Sequence, residues 1–441
     1  MRDVMHVGVD DTDSPRGGCT TYVAALLVTE LERLGCEFVD YPNLIRLNPN
    51  VPWKTRGNGA VSLRFKCQSS RVEEVTQRIL QVVEENSDLE CVNTDPAVSI
   101  LCGEVPLEIT RFAFKAIRDV VSVEEAFQLA SLTGVKTYAL KGRRGVIGSL
   151  AALGMVLTND YTFELIAYRS KVNVGTPRQV DYESVVTMDE KTKPYTFNNY
   201  DPEKRRILIT PHGADPILYG IRGESPQILL EASRMLAVKE PIERWVIFRT
   251  NHGTDMHYSS LQTVEELKPY QPVSLEGTVA ETPKTIQGGH VFFKLTDGTG
   301  TVECAAYEPT GSFKDVVKQL TVGDRVKVYG GVKPPTNQHP FTVNLEKLEV
   351  KELQLQLLYL NPKCQVCGRR MESAGKGQGY RCEKCKTKQP SKIWEETPRA
   401  LKPGLYIPPP RAQRHLTKPI TRYGLEKNGS PIDLTGKWHH P

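Results

Sequence analysis

Two pairs of closely spaced cysteines constrain the fold more than any other feature of the sequence. Cys364 and Cys367 are separated by two residues, as are Cys382 and Cys385, and 14 residues lie between the pairs. Each Cys-x-x-Cys turn directs two thiolates toward one ion, and two such turns complete a tetrahedron. Because four thiolates leave no open coordination position, the pattern predicts a structural Zn²⁺ in a ribbon rather than a catalytic metal.

The other cysteines and the hydropathy of the chain bear on its compartment. Six further cysteines are scattered, most of them in apolar surroundings, which is typical of a reducing compartment rather than of a disulfide framework. No run of about 18 apolar residues is present, so no membrane span is expected. The opening sequence MRDVMHVGVDDTD lacks the apolar core of a signal peptide. We therefore expect a cytoplasmic protein.

Charge is unevenly distributed along the chain. Residues 361–441 carry 17 Lys+Arg and 6 Asp+Glu, a net charge of +11, whereas the whole chain carries +5, which leaves −6 for the other 360 residues. This asymmetry favours a polyanionic partner, with a solvated tail as the alternative. Residues 391–441 are rich in proline and lack periodicity, which predicts an extended basic tail. Its candidate phosphate contacts are Arg399, Arg411, Arg414, Lys418 and Arg422.

Hydrophobic patterning divides the chain into four domains and this tail. Residues 1–145 mix strand and helix periods and predict an α/β domain, and residues 146–262 predict a ferredoxin-like α+β domain. Within them, an amphipathic helix is expected at residues 72–85 and a loop at residues 187–205. Residues 268–352 show five short strands with a helix between the third and fourth, which is the order of an OB-fold barrel. The zinc ribbon occupies residues 360–390.

Barrels of this kind present a strand face to nucleic acid. Phe292, Phe293 and Tyr307 are therefore candidates for stacking on bases, and Lys294 and Lys327 are candidates for phosphate contacts. The alternative is that these aromatic residues form the core of the barrel.

A run of carboxylates follows the first predicted strand. Asp10, Asp11 and Asp13 lie within four residues, and such close carboxylates repel one another unless a cation lies among them. Hard oxygen ligands suit Mg²⁺, which commonly bridges to the phosphates of a substrate. The sequence thus predicts a magnesium and phosphate site at this strand end.

The residues after these carboxylates allow two interpretations. Gly17 and Gly18 permit backbone N–H groups to approach an anion, and Thr20 lies near a helix N-terminus, where phosphate is favoured. In the alternative, the acidic turn only caps the helix, with Asp13 or Ser14 as the N-cap. The Gly-Lys-[Ser/Thr] ending of a Walker A loop is absent from this segment.

Two later loops combine glycine with basic residues. Lys54 and Arg56 precede a predicted strand, and Lys141, Arg143 and Arg144 precede a predicted helix. Basic groups in such loops are candidates for binding ATP phosphates, and solvated turns are the alternative.

Polar residues also crowd one predicted strand end in the second domain. Arg249, Asn251 and Asp255 lie in the sequence FRTNHGTD. This concentration favours a binding pocket over a cap.

The chain closely resembles the archaeal tRNA-isoleucine 2-agmatinylcytidine synthetases. The resemblance rests on an OB-fold and a zinc ribbon that follow four motifs: GVDDTDSPRGGCTTY, RLNPNVPWKTRGNGAVS, GRRGVIGSLAA and FRTNHGTD. The resemblance covers essentially the whole chain. It implies an unusual kinase domain first, a ferredoxin-like domain second, and barrel and ribbon modules that hold tRNA.

The resemblance also implies the reaction. A ligase of this family uses ATP with Mg²⁺ to phosphorylate the C2 oxygen of the wobble cytidine in the CAU anticodon of tRNA(Ile). The amine of agmatine then displaces the phosphate and forms a C–N bond, which changes decoding to AUA. The matching catalytic residues are Asp10, Asp11, Asp13 and Thr20, the last as a phosphate acceptor. We assign Arg249, Asn251 and Asp255 to agmatine, and we expect neither a DNA nor a membrane partner.

Two other functions are compatible with the same residues. One is a non-catalytic tRNA-binding protein, in which the acidic loop is only a cap. The other is a different ATP-dependent RNA kinase or ligase with the same RNA-binding modules.

Overall fold

The structure is a computed structural model that describes residues 2–55, 57–336, 340–429, 433–434 and 436–441. Its strands form one large sheet, a barrel and three small sheets. Together with the helices, they give the mixed α/β and α+β architecture with a barrel and a ribbon that the sequence predicts. No helix in these ranges combines the length and the apolar character that a bilayer span requires.

Strands and helices alternate in the first part of the chain because apolar residues recur with both periods. The helix predicted at residues 72–85 is present with those bounds, since Val75, Ile79 and Val82 bury one face. Two further helices follow, and Ser122 caps the later one by accepting from Glu125 N. The elements are β1 (Arg2–Asp10), α1 (Thr20–Arg33), β2 (Glu37–Phe38), β3 (Asn43–Arg46), β4 (Gly59–Gln68), α2 (Val72–Glu85), β5 (Ala97–Cys102), α3 (Leu107–Arg118), α4 (Val123–Thr133) and β6 (Lys136–Ala139).

The second part contains more regular structure than its polar sequence predicts. The expected loop at residues 187–205 is instead partly helical and partly strand, because Asp181 caps a helix that buries Val185 and Met188. The elements are α5 (Gly145–Gly154), β7 (Thr162–Arg169), α6 (Tyr182–Thr192), β8 (Thr196–Phe197), β9 (Tyr200–Asp201), β10 (Arg206–Ile207), β11 (Ile217–Gly223), α7 (Pro226–Met235) and β12 (Ile242–Thr250).

Both parts contribute to one sheet. Its strand order is β6-β5-β1-β4-β3-β12-β7-β11-β8. The two parts meet where β3 and β12 run parallel, with Arg249 opposite Asn43 and Thr250 opposite Leu44. A single hydrophobic core continues across this junction. The strand end that carries the acidic residues and the start of the second part are therefore fixed relative to each other.

The barrel follows the predicted strand order. Its strands are β13 (Pro272–Thr285), β14 (Val291–Thr296), β15 (Thr301–Ala306), β16 (Arg325–Lys333) and β17 (Thr342–Glu352), with α8 (Ser312–Val317) between the third and fourth. Pairing of β15 with β17 closes it. Phe293 is 2% exposed and belongs to the barrel core, so it cannot stack on bases as expected. Phe292 and Tyr307 are half-buried, with ring centroids 6.2 Å apart.

The ribbon brings the four paired cysteines together. It contains β19 (Glu372–Ser373), β20 (Tyr380–Arg381) and β21 (Lys388–Gln389), and it is flanked by the paired strands β18 (Leu357–Leu360) and β22 (Ile393–Glu396). The ligand atoms of Cys364, Cys367, Cys382 and Cys385 all lie within 4.8 Å of one another. Sulfur atoms around a tetrahedral Zn²⁺ with bonds of about 2.3 Å lie about 3.8 Å apart, so this cluster fits the ion.

The basic tail packs against the body instead of projecting from it. It adds β23 (Gly404–Tyr406) to the barrel and β24 (His439–His440) to the large sheet. The five cations expected to contact phosphates are each paired with a carboxylate: Arg399 with Asp324, Arg411 with Asp201, Arg414 with Glu346, Lys418 with Glu426, and Arg422 with Glu224. The tail is therefore a structural strap, which corrects the expectation that these residues bind tRNA.

Metal content tests the ribbon. Substitution Cys364→Ser removes one of four ligands, and we expect it to abolish binding of one Zn²⁺ per chain and to unfold the ribbon, while the large sheet melts as in the wild type. Elemental analysis and thermal unfolding measure both. Cys102→Ser, at an exposed position outside the cluster, is the control and should retain the zinc. Unchanged zinc in the Cys364 variant would refute the ligand assignment.

The strap predicts a large loss of stability on one substitution. Arg422 is fully buried, and its Nη2 lies 2.9 Å from Asp160 Oδ1. Arg422→Met removes the buried guanidinium that pairs with Asp160 and Glu224 and leaves these carboxylates only their contacts with Lys418 and Lys427, so we expect the free energy of unfolding to fall by about 3 kcal/mol. Chemical denaturation measures this loss. The exposed Lys402→Met is the control, and an equal effect of both substitutions would contradict the strap.

Candidate active site

The acidic residues lie at the end of β1, in the middle of the first half of the sheet. Asp10 is the last residue of the strand and pairs with Ala97 of β5. Asp11 follows with a φ of +58°, a left-handed conformation that turns the chain away from the sheet. This turn places successive carboxylates at one edge of the sheet. Strained backbone conformations of this kind are common at functional sites.

Helix α5 approaches β1 closely because its residues are small. A Cβ added at Gly148 would lie 1.9 Å from Asp10 Oδ2, so only glycine leaves room for this carboxylate. The small residues of GVIGSLAALG thus leave room for the Asp10 carboxylate and also let the helix pack into the hydrophobic core.

Burial and mutual repulsion act on the carboxylates together. Burial raises the pKa of Asp10 well above its usual range, and the neighbouring charges of Asp11 and Asp13 raise it further. Burial also raises the pKa of Asp11, although Arg144, whose Nη2 lies 3.0 Å from Asp11 Oδ2, opposes the shift. A divalent cation would relieve this repulsion, so the donor set fits Mg²⁺.

Asp13 connects the acidic turn to helix α1. Its Oδ1 accepts hydrogen bonds from Thr20 N at 2.6 Å and from Thr20 Oγ1 at 3.1 Å. The N-cap residue of α1 is Cys19, so the expectation that Asp13 or Ser14 is the N-cap is wrong, although Asp13 satisfies the first amide of the helix from outside it. Asp10 and Asp11 form no cap.

The first of two cavities, with a volume of about 440 Å³, lies over these residues. Its polar wall includes Asp10, Asp11, Asp13, Thr20, Lys54 and Arg144, and its apolar wall includes Leu47, Val51, Trp53, Val121, Val123 and Ile147. Burial lowers the pKa of Lys54 to about 8, and Arg414 adds to the shift. An acidic end, two cations and an apolar wall together match a nucleotide with its metal.

The second cavity, of about 410 Å³, lies between the two halves of the sheet. It shares Asp13, Thr20, Asn58 and Gly59 with the first cavity, so the two cavities meet at these residues. Its far wall is formed by the second part of the chain and by the strap, with Leu44, Glu164, Ile166, Leu208, Ile209, Ile217, Arg222 and His415 among the lining residues.

Glu164 is the central charge of the second cavity. It is 2% exposed, and Arg222 Nε lies 3.0 Å from its Oε1. Burial opposes its ionisation, but Arg222, His252 and Arg46 hold the pKa of Glu164 well below its usual range. Its Oε2 accepts no hydrogen bond from the described residues. Arg46 Nη2 and His252 Nδ1 lie 3.7 Å and 3.6 Å from this Oε2, so a ligand that hydrogen-bonds to it would share the carboxylate with Arg46 and Arg222.

Four other predicted phosphate-binding residues line neither cavity: Gly17, Gly18, Lys141 and Arg143. Gly18, with a φ of +77°, shapes the turn that returns the chain to α1, and Gly17 bridges to Ser14. Lys141 Nζ donates to Cys91 O at 2.5 Å, and the guanidinium of Arg143 stacks on Phe127 at 4.3 Å. Arg56 lies outside the described residues. Of the basic loops, the structure thus brings Lys54 and Arg144 to the acidic turn.

The residues assigned to agmatine have internal partners instead. Arg249 is fully buried and pairs with Asp40 at 3.1 Å. Asn251 bonds the backbone N and O of Arg46. Asp255 pairs with Lys347. None of the three lines either cavity, so this assignment has no support in the structure.

Sequence reasoning missed residues whose partners are distant in the chain. Glu164 and Arg222 lie 58 positions apart on neighbouring strands, within otherwise ordinary strand patterns. His415 comes from the strap, and its ring lies 4.9 Å from that of His252. The ionisable Glu164 inside an apolar strand was the one local signal of a site.

Known protein families match each of the four folded parts of the chain. Family models match residues 6–71 (TiaS TCKD domain), 143–257 (TiaS FLD domain), 273–355 (OB-fold nucleic acid binding domain) and 361–401 (TiaS C-terminal zinc ribbon domain). The tRNA-isoleucine 2-agmatinylcytidine synthetase TiaS of Methanosarcina mazei is 44% identical over 95% of this chain and 97% of its own length. That of Pyrococcus horikoshii is 44% identical over the same shares.

Solved structures show the same likeness. The chain is similar to apo TiaS, an isoleucine-tRNA agmatidine synthetase, with a TM-score of 0.87 and 42% identity over 98% of this chain and 100% of that one. It is also similar to TiaS in a complex with its isoleucine tRNA and ATP, at a TM-score of 0.84 and 42% identity over the same shares. A complex of TiaS with the same tRNA, AMPCPP and agmatine gives a TM-score of 0.83 and 39% identity, again over 98% and 100%. The chain therefore belongs to the tRNA-isoleucine 2-agmatinylcytidine synthetase family.

Proposed function

We propose that the chain is an ATP-dependent ligase that joins agmatine to C2 of the wobble cytidine in tRNA(Ile) with a CAU anticodon. The observation that carries this proposal is the meeting of two cavities at Thr20 and Asp13. One cavity suits a nucleotide and the other suits an amine, and relatives are named for this synthesis and solved with these ligands. A tRNA substrate and a cluster of zinc-binding thiols also support a cytoplasmic location.

The first cavity serves the phosphoryl transfer. Asp10 and Asp11 would hold Mg²⁺, which neutralises charge on the phosphates of bound ATP. Lys54 and Arg144 stabilise the transferring group, and the apolar wall receives the base. The O2 atom of cytosine attacks a phosphorus of ATP, the bond from that phosphorus to its bridging oxygen breaks, and the rest of the nucleotide leaves with that oxygen. The phosphate ester formed at C2 turns a poor leaving group into a good one.

Thr20 lies where it can take a phosphoryl group itself. Its hydroxyl is 3.1 Å from Asp13 Oδ1, which can accept the proton as the oxygen attacks. Its position at the N-terminus of α1 favours the resulting negative charge.

The second cavity serves the amine. Agmatine is a cation at both ends with an apolar tether. The apolar lining of Leu44, Ile166 and Ile217 accommodates the tether, and Glu164 Oε2 accepts from the guanidinium. The amine then faces the shared residues, attacks C2 after losing a proton, and releases phosphate.

The acidic turn is tested by Asp11→Asn. The substitution removes a metal ligand in a half-buried loop, so we expect tRNA binding within twofold of wild type but a rate of cytidine modification reduced by roughly 100-fold or more. Mass spectrometry of nucleosides from tRNA(Ile) incubated with ATP and agmatine measures the product. Glu108→Gln, an exposed change in α3, is the control. Normal modification by the Asp11 variant would leave the acidic turn as a cap only.

The amine cavity is tested by Glu164→Gln. This nearly isosteric change removes the charge that faces the guanidinium, so we expect the KM for agmatine to rise about tenfold or more, with the KM for ATP unchanged. Butylamine, which lacks the guanidinium, should be used equally poorly by both proteins. If the variant discriminates agmatine from butylamine as well as the wild type does, the guanidinium lies elsewhere.

A further inference from the structure

Two cysteines face each other across neighbouring segments of the large sheet, away from the zinc ribbon. Strands β2 and β4 are antiparallel, and Glu37 of β2 is opposite Lys66 of β4. One step further along the same register, Cys36 is opposite Cys67. Both are free thiols in the structure. The sheet thus brings together two cysteines that are 31 positions apart in the sequence.

The hydrogen bonds between the two segments determine how closely the thiols approach. Val39 N donates to Arg64 O, three steps along the ladder from the cysteines. Hydrogen-bonded and non-hydrogen-bonded pairs alternate in an antiparallel ladder, so the cysteines occupy a non-hydrogen-bonded position. Opposite Cα atoms at such a position are about 4.5 Å apart. A disulfide spans Cα separations of about 4.4–6.8 Å, so the backbone already has the spacing of a crosslink.

The end of helix α1 holds the backbone of Cys36 in place. Gly35 has a φ of +75°, its N donates to Glu32 O at 2.9 Å, and Cys36 N donates to Leu31 O at 3.0 Å. These two bonds form the Schellman motif that ends many helices. Cys36 is therefore fixed by the helix on one side and by the strand on the other, which limits the chain entropy that a bond to Cys67 would cost.

Both thiols belong to the hydrophobic core but lie just beneath the surface. Cys36 is 8% exposed and Cys67 is 4% exposed, while the residues on either side of them at 35, 37, 66 and 68 are exposed. Burial raises the pKa of Cys36 to about 12, and the charge and hydrogen bond of Cys67 raise it further. From helix α2, Arg71 lowers this pKa and Glu74 raises it. The Cys36 thiol is therefore protonated at neutral pH and reacts slowly.

We propose that Cys36 and Cys67 form a site of reversible oxidation, at which a small-molecule disulfide converts the two thiols into one intramolecular bond. One cysteine loses its proton and attacks the reagent, whose S–S bond breaks and releases the first thiol. The other cysteine loses its proton, attacks the mixed disulfide and displaces the second thiol. The protein pair is oxidised and the reagent is reduced. This inference does not depend on the proposed function.

The bond would act on stability rather than on the active site. It would close a loop of residues 36–67, which contains β3 and the segment with Lys54, and it would restrict the unfolded chain. The pair lies at the far end of β4 from Gly59, which lines both cavities. Eight strand steps separate the two ends, a distance of about 26 Å. Oxidation would therefore strengthen the first part of the chain without filling either cavity.

The test uses glutathione disulfide as the reagent. The folded, zinc-loaded full-length chain is incubated with it, remaining thiols are alkylated, and peptides are mapped under non-reducing conditions. We expect a linked peptide that contains Cys36 and Cys67 and that dithiothreitol separates. The Tm of the large sheet should rise by about 5 °C or more on oxidation. Zinc content measured on the same sample should be unchanged, which excludes oxidation of the ribbon as the cause.

Three variants locate the bond. Cys36→Ala and Cys67→Ala should lose both the linked peptide and the rise in Tm on oxidation. Cys102→Ala, which removes an exposed thiol of β5, should retain both. The proposal is overturned if the folded wild type yields Cys36 and Cys67 only as thiols or as separate mixed disulfides, or if Cys67 is linked to Cys102 instead. A fall in Tm on oxidation would reject the stabilising role. The peptide map of the wild type decides the pairing even if an alanine variant does not fold.

Discussion

The arrangement of the whole site depends on one buried carboxylate, that of Asp40. It pairs with Arg249 of β12 at 3.1 Å and lies 4.0 Å from Arg64 of β4, at the point where the two halves of the sheet join. Ions so deeply buried are expensive to desolvate, and removing any one of them would leave the others uncompensated. The junction therefore tolerates one geometry, and both cavities depend on it because each takes residues from β3 or the loop that follows it.

This junction explains why part of the site could be predicted and part could not. The zinc cysteines and the acidic turn are short-range patterns, in which spacing alone specifies the chemistry. Helix α2 was equally predictable, because its apolar period is undisturbed. Arg249 is different, since its partner Asp40 lies about 200 positions earlier in the chain. A polar residue at a strand end looks the same in the sequence whether it binds a ligand or holds two halves of a sheet together.

The charges of the tail were also hard to interpret from the sequence, because most of their partners are distant in the chain. Its cations lie between prolines and outnumber the acidic residues of the same segment, a composition typical of a flexible arm. Four of the neutralising carboxylates belong to the barrel and the second half of the sheet, and the fifth, Glu426, belongs to the tail itself, so charge counted along the sequence overstated the charge available to RNA. Within the ribbon, Lys363 and Arg370 pair with Glu395, whereas Lys384, Lys386 and Lys388 are exposed and form no ion pair with a described residue.

Burial of the strap also affects the order in which this protein can be completed. Trp438 is 7% exposed and packs on Phe38 and Tyr41, with ring centroids 5.3 Å and 6.2 Å away. At synthesis rates of roughly 5–20 residues per second, these early aromatic residues wait on the order of 20–80 s for their partner to leave the ribosome. A nascent chain stopped short of the strap lacks His415 as well as Trp438. Such a chain would lack both a wall residue of the second cavity and the indole that covers Phe38 and Tyr41.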